Sequence, residues 1–386
     1  MEPIKVLHLI PTLSSGGAER QLANLVCSTS REAVEHVVCT IDKSDFFAPQ
    51  ISDAGYKVID FGIHQKRPFL RASRAFRQIL KEQRPDIIHS WLYDANIAAR
   101  LARLAYAKVP IVTSLQLADY EPEAAQIGNW NPYKVNGLRL IDRLTAKFTD
   151  PYFVPCSEFV SKSYKRYFGM RADRAEVIPN SFDPKFLQPS GRSLTDLKNE
   201  LGIPEHSFIY LNVSRLDPQK NHKTIIKSFR KVAQKNPELY LLLAGIGGLE
   251  SELRKLAHND DLGNRILFLG RRNDIGDLLE LADVFVFPSF FEGLPVALIE
   301  AMFKQLPCIA SNVEVFREVV TDRETGLLVR PNSIDELADR MLELHVDIAL
   351  RRRLGEAAFR HASSNFSVNV TVAKWESLYK RVSAGY

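Results

Sequence analysis

One stretch of the sequence sets the architecture: Ala282-Asp-Val-Phe-Val-Phe287, then Pro288-Ser289, then Glu292-Gly-Leu-Pro-Val-Ala-Leu-Ile-Glu300. The apolar run that ends at Phe287 is short and rich in valine and phenylalanine, which is typical of a buried strand. Pro288 and Ser289 end that strand, and Pro295 stands where a helix would begin. A strand, a short loop and a helix in this order form the repeating unit of a parallel α/β sheet.

The two glutamates at the ends of this motif indicate what it binds. Glu292 falls in the loop, and Glu300 falls in the helix, roughly 7 Å along its axis from Pro295. Between them, the free N–H groups and the positive dipole end of the helix favour a phosphate. The layout suits a ligand with a diphosphate in the middle and a hydroxylated ring at each end, such as a nucleotide sugar.

Strand-like and helix-like runs alternate along the whole chain, which predicts an α/β protein with doubly wound parallel sheets. Helices are predicted at residues 19–27, 95–105 and 224–233, and strands at 5–10, 37–41, 87–89, 111–114, 208–213, 239–244, 266–269, 284–287 and 308–310. A chain of 386 residues is too long for one core. Because Pro, Gly and Ser cluster at 184–193, we expect two domains, at residues 1–185 and 186–366.

Composition excludes several classes of protein. Apolar residues make up 45% and charged residues 25% of the chain, as in ordinary globular proteins. The longest apolar run, 239–246, is far shorter than the roughly 18 residues of a membrane span. The N-terminus lacks the pattern of a signal peptide and is predicted to be the first strand. The four cysteines have neither metal-site nor disulfide spacing and are predicted to be inert buried thiols.

The net positive charge of the chain comes entirely from its first half. Lys and Arg outnumber Asp and Glu by 25 to 20 in residues 1–185, and the two counts are equal, 26 and 26, in residues 186–386. The excess concentrates at residues 66–81, where Phe69, Phe76 and Leu80 recur near helical spacing among arginines. Such a helix can lie on an anionic membrane surface, or it can be a surface helix whose apolar stripe packs on the sheet. Both interpretations stay open.

Charged residues and glycines follow several predicted strands, where ligands gather in open α/β sheets. Arg215 and Lys220 follow the strand 208–213 and can converge on one diphosphate. A solvated surface loop could have the same sequence. Gly245 and Gly247 follow the strand 239–244 and permit a tight turn and close approach of a ligand. Gly16 and Gly17, in the motif 14–20, either let a ligand approach the backbone or simply cap a helix.

These motifs together resemble those of the retaining glycosyltransferases of family 4, which have the GT-B fold. Besides the residues above, the resemblance rests on Gly16-Gly17-Ala18-Glu19, on Val177-Ile-Pro-Asn180-Ser-Phe-Asp183, and on Glu318 through Gly326-Leu-Leu-Val-Arg-Pro331. It covers nearly the whole chain and is densest over 208–331. It implies two Rossmann-like domains that face a central cleft, the first binding the acceptor and the second the nucleotide sugar. It also implies that a C-terminal helix, within residues 367–386, crosses back to the first domain.

The resemblance assigns roles by position. Arg215, Lys220 and Glu292 would be the catalytic residues, with the two cations on the donor diphosphate and Glu292 on hydroxyls of the transferred sugar. Glu300 would hydrogen-bond the ribose, and the base would lie near 270–272. The full donor-binding set is Gly17, Arg215, Lys220, Gly245, Gly247, Arg271, Glu292, Gly293, Leu294, Val296 and Glu300. No metal ion or other cofactor is expected, and the nucleotide diphosphate sugar would be a co-substrate.

The acceptor side is less well marked. Gln116 stands where family members often have His, and it cannot act as a general base. Ser181 and Gln305 stand where glycine is usual. The expected acceptor-binding residues are Gly16, His89, Trp91, Tyr93, Asp94, Gln116 and Asp119. His89 alone is as consistent with a structural role as with a catalytic one, and the irregular stretch 118–133 is either a mobile loop over the site or a surface excursion.

The sequence therefore predicts a metal-independent, cytoplasmic glycosyltransferase. It would move a sugar from a nucleotide diphosphate sugar to a lipid-linked saccharide in surface polysaccharide or glycolipid synthesis, at the inner face of the membrane. Residues 66–81 are the candidate contact with an anionic membrane surface. Two alternatives remain: a nucleotide-sugar 2-epimerase and an inactive nucleotide-sugar-binding partner. Nucleic-acid binding is not expected, since the basic excess is small and no recognition module is present.

Overall fold

The chain forms two compact units, residues 1–182 with 366–386 and residues 183–365. The computed structural model describes residues 2–14, 16–43, 46–64, 68–106, 109–127, 131–188, 190–258 and 262–385. The first unit thus ends three residues before the predicted limit of 185 and takes in the C-terminal segment. Over the described ranges, no helix combines the length and apolarity that a bilayer crossing requires.

The first unit contains a six-stranded parallel sheet in the order β3-β2-β1-β4-β5-β6. Its strands are β1 (Ile4–Ile10), β2 (Val34–Thr40), β3 (Lys57–Asp60), β4 (Ile87–Trp91), β5 (Ile111–Leu115) and β6 (Tyr152–Pro155). The helices between them are α1 (Gly17–Ser28), α2 (Ala48–Asp53), α3 (Phe69–Gln83), α4 (Tyr93–Leu104), α5 (Pro122–Ile127), α6 (Pro132–Thr149) and α7 (Glu158–Ser163).

Side-chain alternation along β1 explains why both faces of this sheet are covered. Val6 and Ile10 point into a core that also contains α1 residues, whereas Leu7 and Leu9 point into a second core with α3 and α4. A strand buried on both faces reads as a continuous apolar run, which is why the pattern predicted it. Phe76 on α3 lies in the second core, so the apolar stripe of the 66–81 segment packs inside the unit. Lys66 and Arg67 lie outside the described residues.

The second unit repeats this topology, with the sheet order β12-β11-β10-β7-β8-β9. Its strands are β7 (Phe208–Val213), β8 (Leu239–Ala244), β9 (Ile266–Gly270), β10 (Val284–Phe287), β11 (Cys308–Ser311) and β12 (Leu327–Val329). Its helices are α8 (Leu194–Leu201), α9 (His222–Ala233), α10 (Glu250–His258), α11 (Ile275–Leu281), α12 (Val296–Phe303), α13 (Glu314–Arg317), α14 (Ile334–Val346) and α15 (Ile348–Phe366). The two doubly wound sheets confirm the predicted fold class.

A last helix, α16 (Val368–Ala384), belongs to the first unit. Its residues Trp375, Leu378 and Tyr379 are buried in the same core as Val6 and Trp91. Backbone hydrogen bonds from Phe182 to Phe366 and from Val368 to Phe182 fix the point where the chain re-enters this unit. The predicted return of the C-terminal helix to the first domain is therefore present.

Part of the stretch 118–133 is more regular than its sequence indicates. It contains α5 and the start of α6, and the side chains of Ala118 and Tyr120 are buried. At these two positions the stretch is part of the buried interior, which neither the mobile-loop nor the surface-excursion interpretation anticipated. Residues 128–130 lie outside the described ranges.

Candidate functional site

In the second unit, the order of strands reverses between β7 and β10, which pair directly. Ligands of open α/β sheets bind outside the carboxyl ends of the strands at such a switch point. The loops that flank it are those after β7 and after β10. They carry Arg215 and Lys220 in one case and Glu292 in the other, so the topology brings the predicted motifs to one place.

Hydrogen bonds join these two loops into one structure. The Gln219 side-chain amide donates to the Phe291 carbonyl (2.7 Å), and the Gln219 carbonyl accepts from the Phe290 amide (2.9 Å). Asn221 donates to the carbonyl of Pro288 (3.2 Å). The sequence analysis did not identify Gln219 or Asn221, because their partners lie about seventy residues away in the chain.

An ion pair between Lys220 and Glu292 lies at the centre of the site. The distance from Lys220 Nζ to Glu292 Oε1 is 2.5 Å, and the side chains are only 13% and 9% exposed. The ammonium also lies 5.3 Å from the centre of the Phe287 ring. A charge this well shielded from water interacts strongly with a second charge brought next to it. The pair can therefore hold an anion and a hydroxyl side by side.

Arg215 has a different environment from Lys220. Its side chain is 73% exposed, and Nη1 pairs with Asp217 at 2.9 Å. The two cations predicted to converge on one ligand thus have different carboxylate partners. Arg215 faces solvent, from where it can reach a ligand only by leaving or sharing Asp217.

The start of α12 differs in part from the prediction of free N–H groups. The amides of Leu298 and Ile299 donate to the Pro295 carbonyl (3.1 and 3.2 Å), and the Val296 amide donates to Leu294 (3.0 Å). These three amides already have local acceptors, so the expectation was wrong for them, although the helix dipole remains. Glu300 lies one turn further on and is buried, as are Leu294 and Glu292, with Gly293 between the latter two.

The glycines after β8 are required by the protein's own backbone. A Cβ on Gly245 would lie 1.9 Å from the Ser214 carbonyl oxygen, and one on Gly247 would lie 2.6 Å from the backbone of Leu216. Gly245 also has φ of +145°, which side chains rarely allow. Both residues thus let the loop after β8 pack on the loop after β7, which carries Arg215 and Lys220.

An open recess lies beyond the end of β9, where the nucleotide base is expected. Its volume is about 420 Å³, and Arg271, Asn273 and Phe186 are among its lining residues. This volume is within the range of small-molecule sites. The neighbouring Arg272 pairs with Asp274 and Glu200 and so has a structural role.

In the first unit, the corresponding switch point lies between β1 and β4. Glu19 on α1 organises the loop after β1 by accepting hydrogen bonds from Thr12 and Ser14. A Cβ on Gly16 would lie 2.2 Å from the Glu19 carboxylate, so a larger residue there would displace this side chain, whereas Gly17 faces open space. Gly17 was grouped with the donor residues, yet it belongs to the first unit and the others to the second. Ser15 lies outside the described residues.

The structure corrects the prediction that His89 and Trp91 line an acceptor pocket. Both are buried, with exposures of 0% and 1%. His89 shares hydrogen bonds with Tyr379 (2.7 Å) and Ser114 (2.8 Å), so both ring nitrogens are occupied. Trp91 stacks on His89 and donates to His8. These side chains face the core beneath α16 because residues on β4 alternate between the two faces of a covered sheet.

Backbone strain marks the turn after β4, which sequence analysis missed. Leu92 has φ of 67° and ψ of 162°, a region that is essentially restricted to glycine. It precedes Tyr93 and Asp94, which begin α4 and are partly exposed. Tyr93 donates to the carbonyl of Leu138 on α6 (2.8 Å). Strain of this kind clusters at functional sites, so it supports a role for this turn.

Gln116 and Asp119 lie just beyond β5. The Oε1 atom of Gln116 is buried and has no hydrogen-bond partner among the described residues. Together with Trp91, Asn180 and Trp375 it borders a cavity of about 10 Å³, near the space that one water molecule needs and far too small for a saccharide. Asp119 accepts a hydrogen bond from Tyr164 (3.0 Å). Burial raises the pKa of Asp119 to about 6, and the nearby Asp142 adds to this.

Comparison with known proteins identifies the family. Sequence profiles described as "Glycosyltransferase Family 4" and "Glycosyl transferases group 1" match residues 15–186 and 194–361. The GDP-mannose-dependent monoacylated alpha-(1-6)-phosphatidylinositol monomannoside mannosyltransferase of Corynebacterium glutamicum is 30% identical over 382 residues, 95% of this chain and 93% of the relative. This chain belongs to glycosyltransferase family 4. It is a glycosyltransferase with a nucleotide-sugar donor.

A further relative and a solved structure are also similar to this chain. The GalNAc-alpha-(1->4)-GalNAc-alpha-(1->3)-diNAcBac-PP-undecaprenol alpha-1,4-N-acetyl-D-galactosaminyltransferase of Campylobacter jejuni is 25% identical over 98% of this chain and 99% of its own. The crystal structure of Anabaena Alr3699/HepE in complex with UDP and glucose superposes with a TM-score of 0.84, at 22% identity, covering 98% of this chain and 100% of that one. The likeness confirms the GT-B fold.

Two departures from the family 4 pattern have visible structural consequences. Gln305, where glycine is usual, has φ of +57°, a conformation that costs about 1–2 kcal/mol for a residue with a side chain. Ser181, the other such position, is buried, and its backbone is held by the side chains of Gln21 and Asn24. Neither departure alters the pairing of Lys220 with Glu292.

Proposed function

We propose that this glycosyltransferase moves a sugar from a nucleotide diphosphate sugar to a lipid-linked saccharide, with retention of anomeric configuration. Its product would belong to a surface polysaccharide or a glycolipid. The proposed binding of the donor rests on one observation, the shielded Lys220–Glu292 ion pair at the switch point of the second sheet. A cation and an acid held together at that place match the phosphate and hydroxyl groups of a nucleotide sugar.

The donor would be held by residues of the second unit. Lys220 and Arg215 bind the diphosphate, Glu292 binds hydroxyls of the transferred sugar, and Glu300 binds the ribose. The base enters the recess beside Arg271. The backbone at Gly293, Leu294 and Val296, near the positive end of α12, lies against the phosphates. Because the two cations supply positive charge, the reaction requires no metal ion.

The chemical step would break the bond between the anomeric carbon and the donor phosphate oxygen. The acceptor hydroxyl oxygen attacks that carbon from the same face, and a phosphate oxygen of the departing diphosphate takes the hydroxyl proton. Lys220 and Arg215 stabilise the negative charge that develops on the diphosphate. No protein base is needed in this scheme, so Gln116 in place of a histidine is tolerated.

The acceptor would be held by the first unit. Gly16, Tyr93, Asp94, Gln116 and Asp119 follow the carboxyl ends of its strands, and their amide, hydroxyl and carboxyl groups suit a saccharide. A lipid-linked acceptor is supported by the relatives, whose names specify a phosphatidylinositol mannoside and an undecaprenol diphosphate saccharide. The basic excess of residues 1–185 fits a place at the inner face of the cytoplasmic membrane.

A transfer assay tests this function. The protein is incubated with uridine, guanosine or adenosine diphosphate sugars and with polyprenyl diphosphate saccharides, with and without EDTA. We expect one donor class to react only when acceptor is present, EDTA to have no effect, and NMR of the product to show the donor's anomeric configuration. Glu300→Gln should weaken binding of that donor, whereas Glu280→Gln, at an exposed position, should not.

Other outcomes would contradict the proposal in distinct ways. Isomerisation of the donor without acceptor would indicate an epimerase. Donor binding without transfer to any acceptor would indicate an inactive binding partner. An inverted product would overturn the retaining mechanism while leaving the donor site intact.

A further inference from the structure

Helix α6 presents its apolar side to solvent. Tyr133, Leu140, Leu144 and Phe148 are 88%, 58%, 47% and 67% exposed, and Ile141 is exposed as well. At 100° per residue these five positions fall within an arc of about 100°, so they form one stripe along the helix. A surface helix of a globular protein normally turns such a stripe toward the core.

The opposite side of α6 holds it to the unit through polar contacts. Asp142 is buried, pairs with Arg100 of α4 and accepts a hydrogen bond from Tyr120 (2.6 Å). Thr149 and Ala146 are buried on the same side. The helix is thus anchored by its polar face, which leaves the apolar stripe without a partner among the described residues.

Basic side chains border the stripe. Arg143 and Lys147 lie along one edge, Lys134 lies along the other, and all three are exposed. The single acidic residue of α6 is the buried Asp142, and the exposed Asp150 that follows the helix pairs with Arg174. The outer face of α6 therefore combines apolar and positively charged groups with no exposed carboxylate of its own.

Helix α3 belongs to the same layer, since α4 packs against both α3 and α6. It has the reverse arrangement: Phe76 and Leu80 are buried, and Arg71, Arg74 and Arg77 are exposed. It can add positive charge to a surface, but its buried stripe cannot enter one. The charge of α3 and the apolar stripe of α6 are complementary parts of one face.

We propose that the outer face of α6 docks the first unit on an anionic lipid bilayer. Its apolar stripe enters the interface between headgroups and acyl chains, and Lys134, Arg143 and Lys147 contact anionic headgroups. Membrane contact, expected from the sequence at residues 66–81, is thereby assigned to residues 133–148, with α3 contributing charge alone.

The position of α6 connects this docking to acceptor delivery, an aspect that rests on the proposed function. Tyr93, at the start of α4, bonds to Leu138, and Arg100, further along α4, bonds to Asp142. The two helices thus run in the same direction, and residues 132–137 extend past the start of α4. They project at the carboxyl edge of the sheet, where Gln116 and Asp119 lie, so a docked α6 places that edge next to the lipid.

Vesicle binding tests the proposal independently of catalysis. The full chain is floated with vesicles of phosphatidylcholine alone or with phosphatidylglycerol. We expect strong binding to the anionic vesicles only. The triple variant Leu140→Gln, Leu144→Gln, Phe148→Gln should bind at least about tenfold more weakly, because three partly inserted apolar side chains are lost. The charge variant Lys134→Gln, Arg143→Gln, Lys147→Gln should lose about a hundredfold, at about 1 kcal/mol per charge.

A matched control removes exposed apolar residues from the second unit. Leu342, Val346 and Ile348 are also exposed, and their replacement by Gln should leave vesicle binding unchanged. Equal binding by the α6 apolar variant and the parent would overturn the proposal. So would a parent dimer, in sedimentation velocity, that this variant dissociates, since a second copy would then cover the stripe.

The outcomes for docking and for glycosyl transfer are separable. If α6 binds vesicles but no donor and acceptor pair reacts, the proposed function fails and the docking stands. If the α6 apolar variant binds the donor and transfers sugar to a detergent-solubilised acceptor while failing to bind vesicles, both stand. If the parent transfers sugar but never binds anionic vesicles, the docking fails alone.

Discussion

The two sheets have the same strand order, yet their switch points are built differently. In the second unit, the site residues come from two loops that follow β7 and β10, and Lys220 meets Glu292 directly. In the first unit, His89 and Trp91 at the equivalent strand are buried under α16, and His89 bonds to Tyr379, 290 residues away. A site made of loop residues can be predicted from local motifs, whereas a strand residue can be assigned to site or core only once the covering helix is known.

The largest expected effect is at the donor site of the second unit. Lys220→Ala should lower the rate of sugar transfer about 10²–10³-fold, or about 3–4 kcal/mol, because a shielded positive charge is lost where negative charge develops. Initial rates at saturating acceptor measure this. Lys223→Ala is the control, since Lys223 is exposed and pairs with Glu252. If the Lys220 variant transferred sugar at a rate within threefold of the parent's, the second sheet would not be the one that carries the donor site.

The support beneath that site should also be sensitive. Gly245→Ala is expected to lower the free energy of unfolding by about 3 kcal/mol, because a methyl group would collide with the Ser214 carbonyl at a positive φ. Urea unfolding measures this change. Gly248→Ala, where a Cβ meets nothing within 4 Å, is the matched control and should change stability by less than about 1 kcal/mol. Equal effects would show that the close approach of the two loops is not needed.

The first unit should be the more sensitive to acid. Burial holds the pKa of His8 and His89 well below 6.5 and lowers the pKa of His36 to about 3. In the second unit, burial lowers the pKa of His222 to about 4 and also lowers the pKa of the half-buried His361. Below pH 6.5 the unfolded chain therefore binds more protons than the folded unit, so stability falls as pH falls. The three histidines should cost about 2 kcal/mol between pH 7 and 6.

Amide hydrogen exchange measured by mass spectrometry can report the acid sensitivity of each unit individually. Protection in β1, β2 and β4 should decline from pH 7 to 6 more than protection in β7, β8 and β10, after correction for the intrinsic exchange rate. Trp91 donates to His8 Nδ1, so the His8 Nε2 proton faces His36 Nδ1, and a second proton between these rings would have no acceptor. Equal loss of protection in both units would contradict this account.

The smallest effect is expected at the acceptor edge. Asp119→Asn should raise the acceptor KM about fivefold, or about 1 kcal/mol, because one charged hydrogen bond to the saccharide becomes neutral. It should also abolish any dependence of that KM on pH near 6, where Asp119 ionises. Asp173→Asn, an exposed position that pairs with Arg171, is the control. An unchanged KM would leave Tyr93, Asp94 and Gln116 as the acceptor residues to test.

The sequence predicted the central strands of both sheets well, for a physical reason. Strands buried on both faces are continuous apolar runs, and β1, β7, β8 and β10 all have this form. The strands it did not single out, β3, β6 and β12, are short and lie at sheet edges. At three or four residues each, these strands are too short to show a periodic pattern, and β3 also has a charged residue at each end.

At the candidate site, the sequence predicted features that lie within one continuous segment and missed those that depend on the three-dimensional structure. The motif 292–300 was recognisable because its residues act within one loop and helix. The hydrogen bonds by which Gln219 joins the loops after β7 and β10, and the backbone strain at Leu92, depend on backbone positions that residue spacing alone does not reveal. The orientation of α6 was also hidden, because an apolar stripe at helical spacing reads the same whether it faces the core or the solvent.

Helix α16 has a consequence for how the chain folds during synthesis. The second unit is contiguous in sequence and is synthesised in full before Trp375, Leu378 and Tyr379, which complete a core of the first unit. The nascent N-terminal part of the chain therefore keeps one apolar face uncovered until α16 has been synthesised. Chaperones that bind apolar surface would therefore be needed most by the part of the chain that is made first.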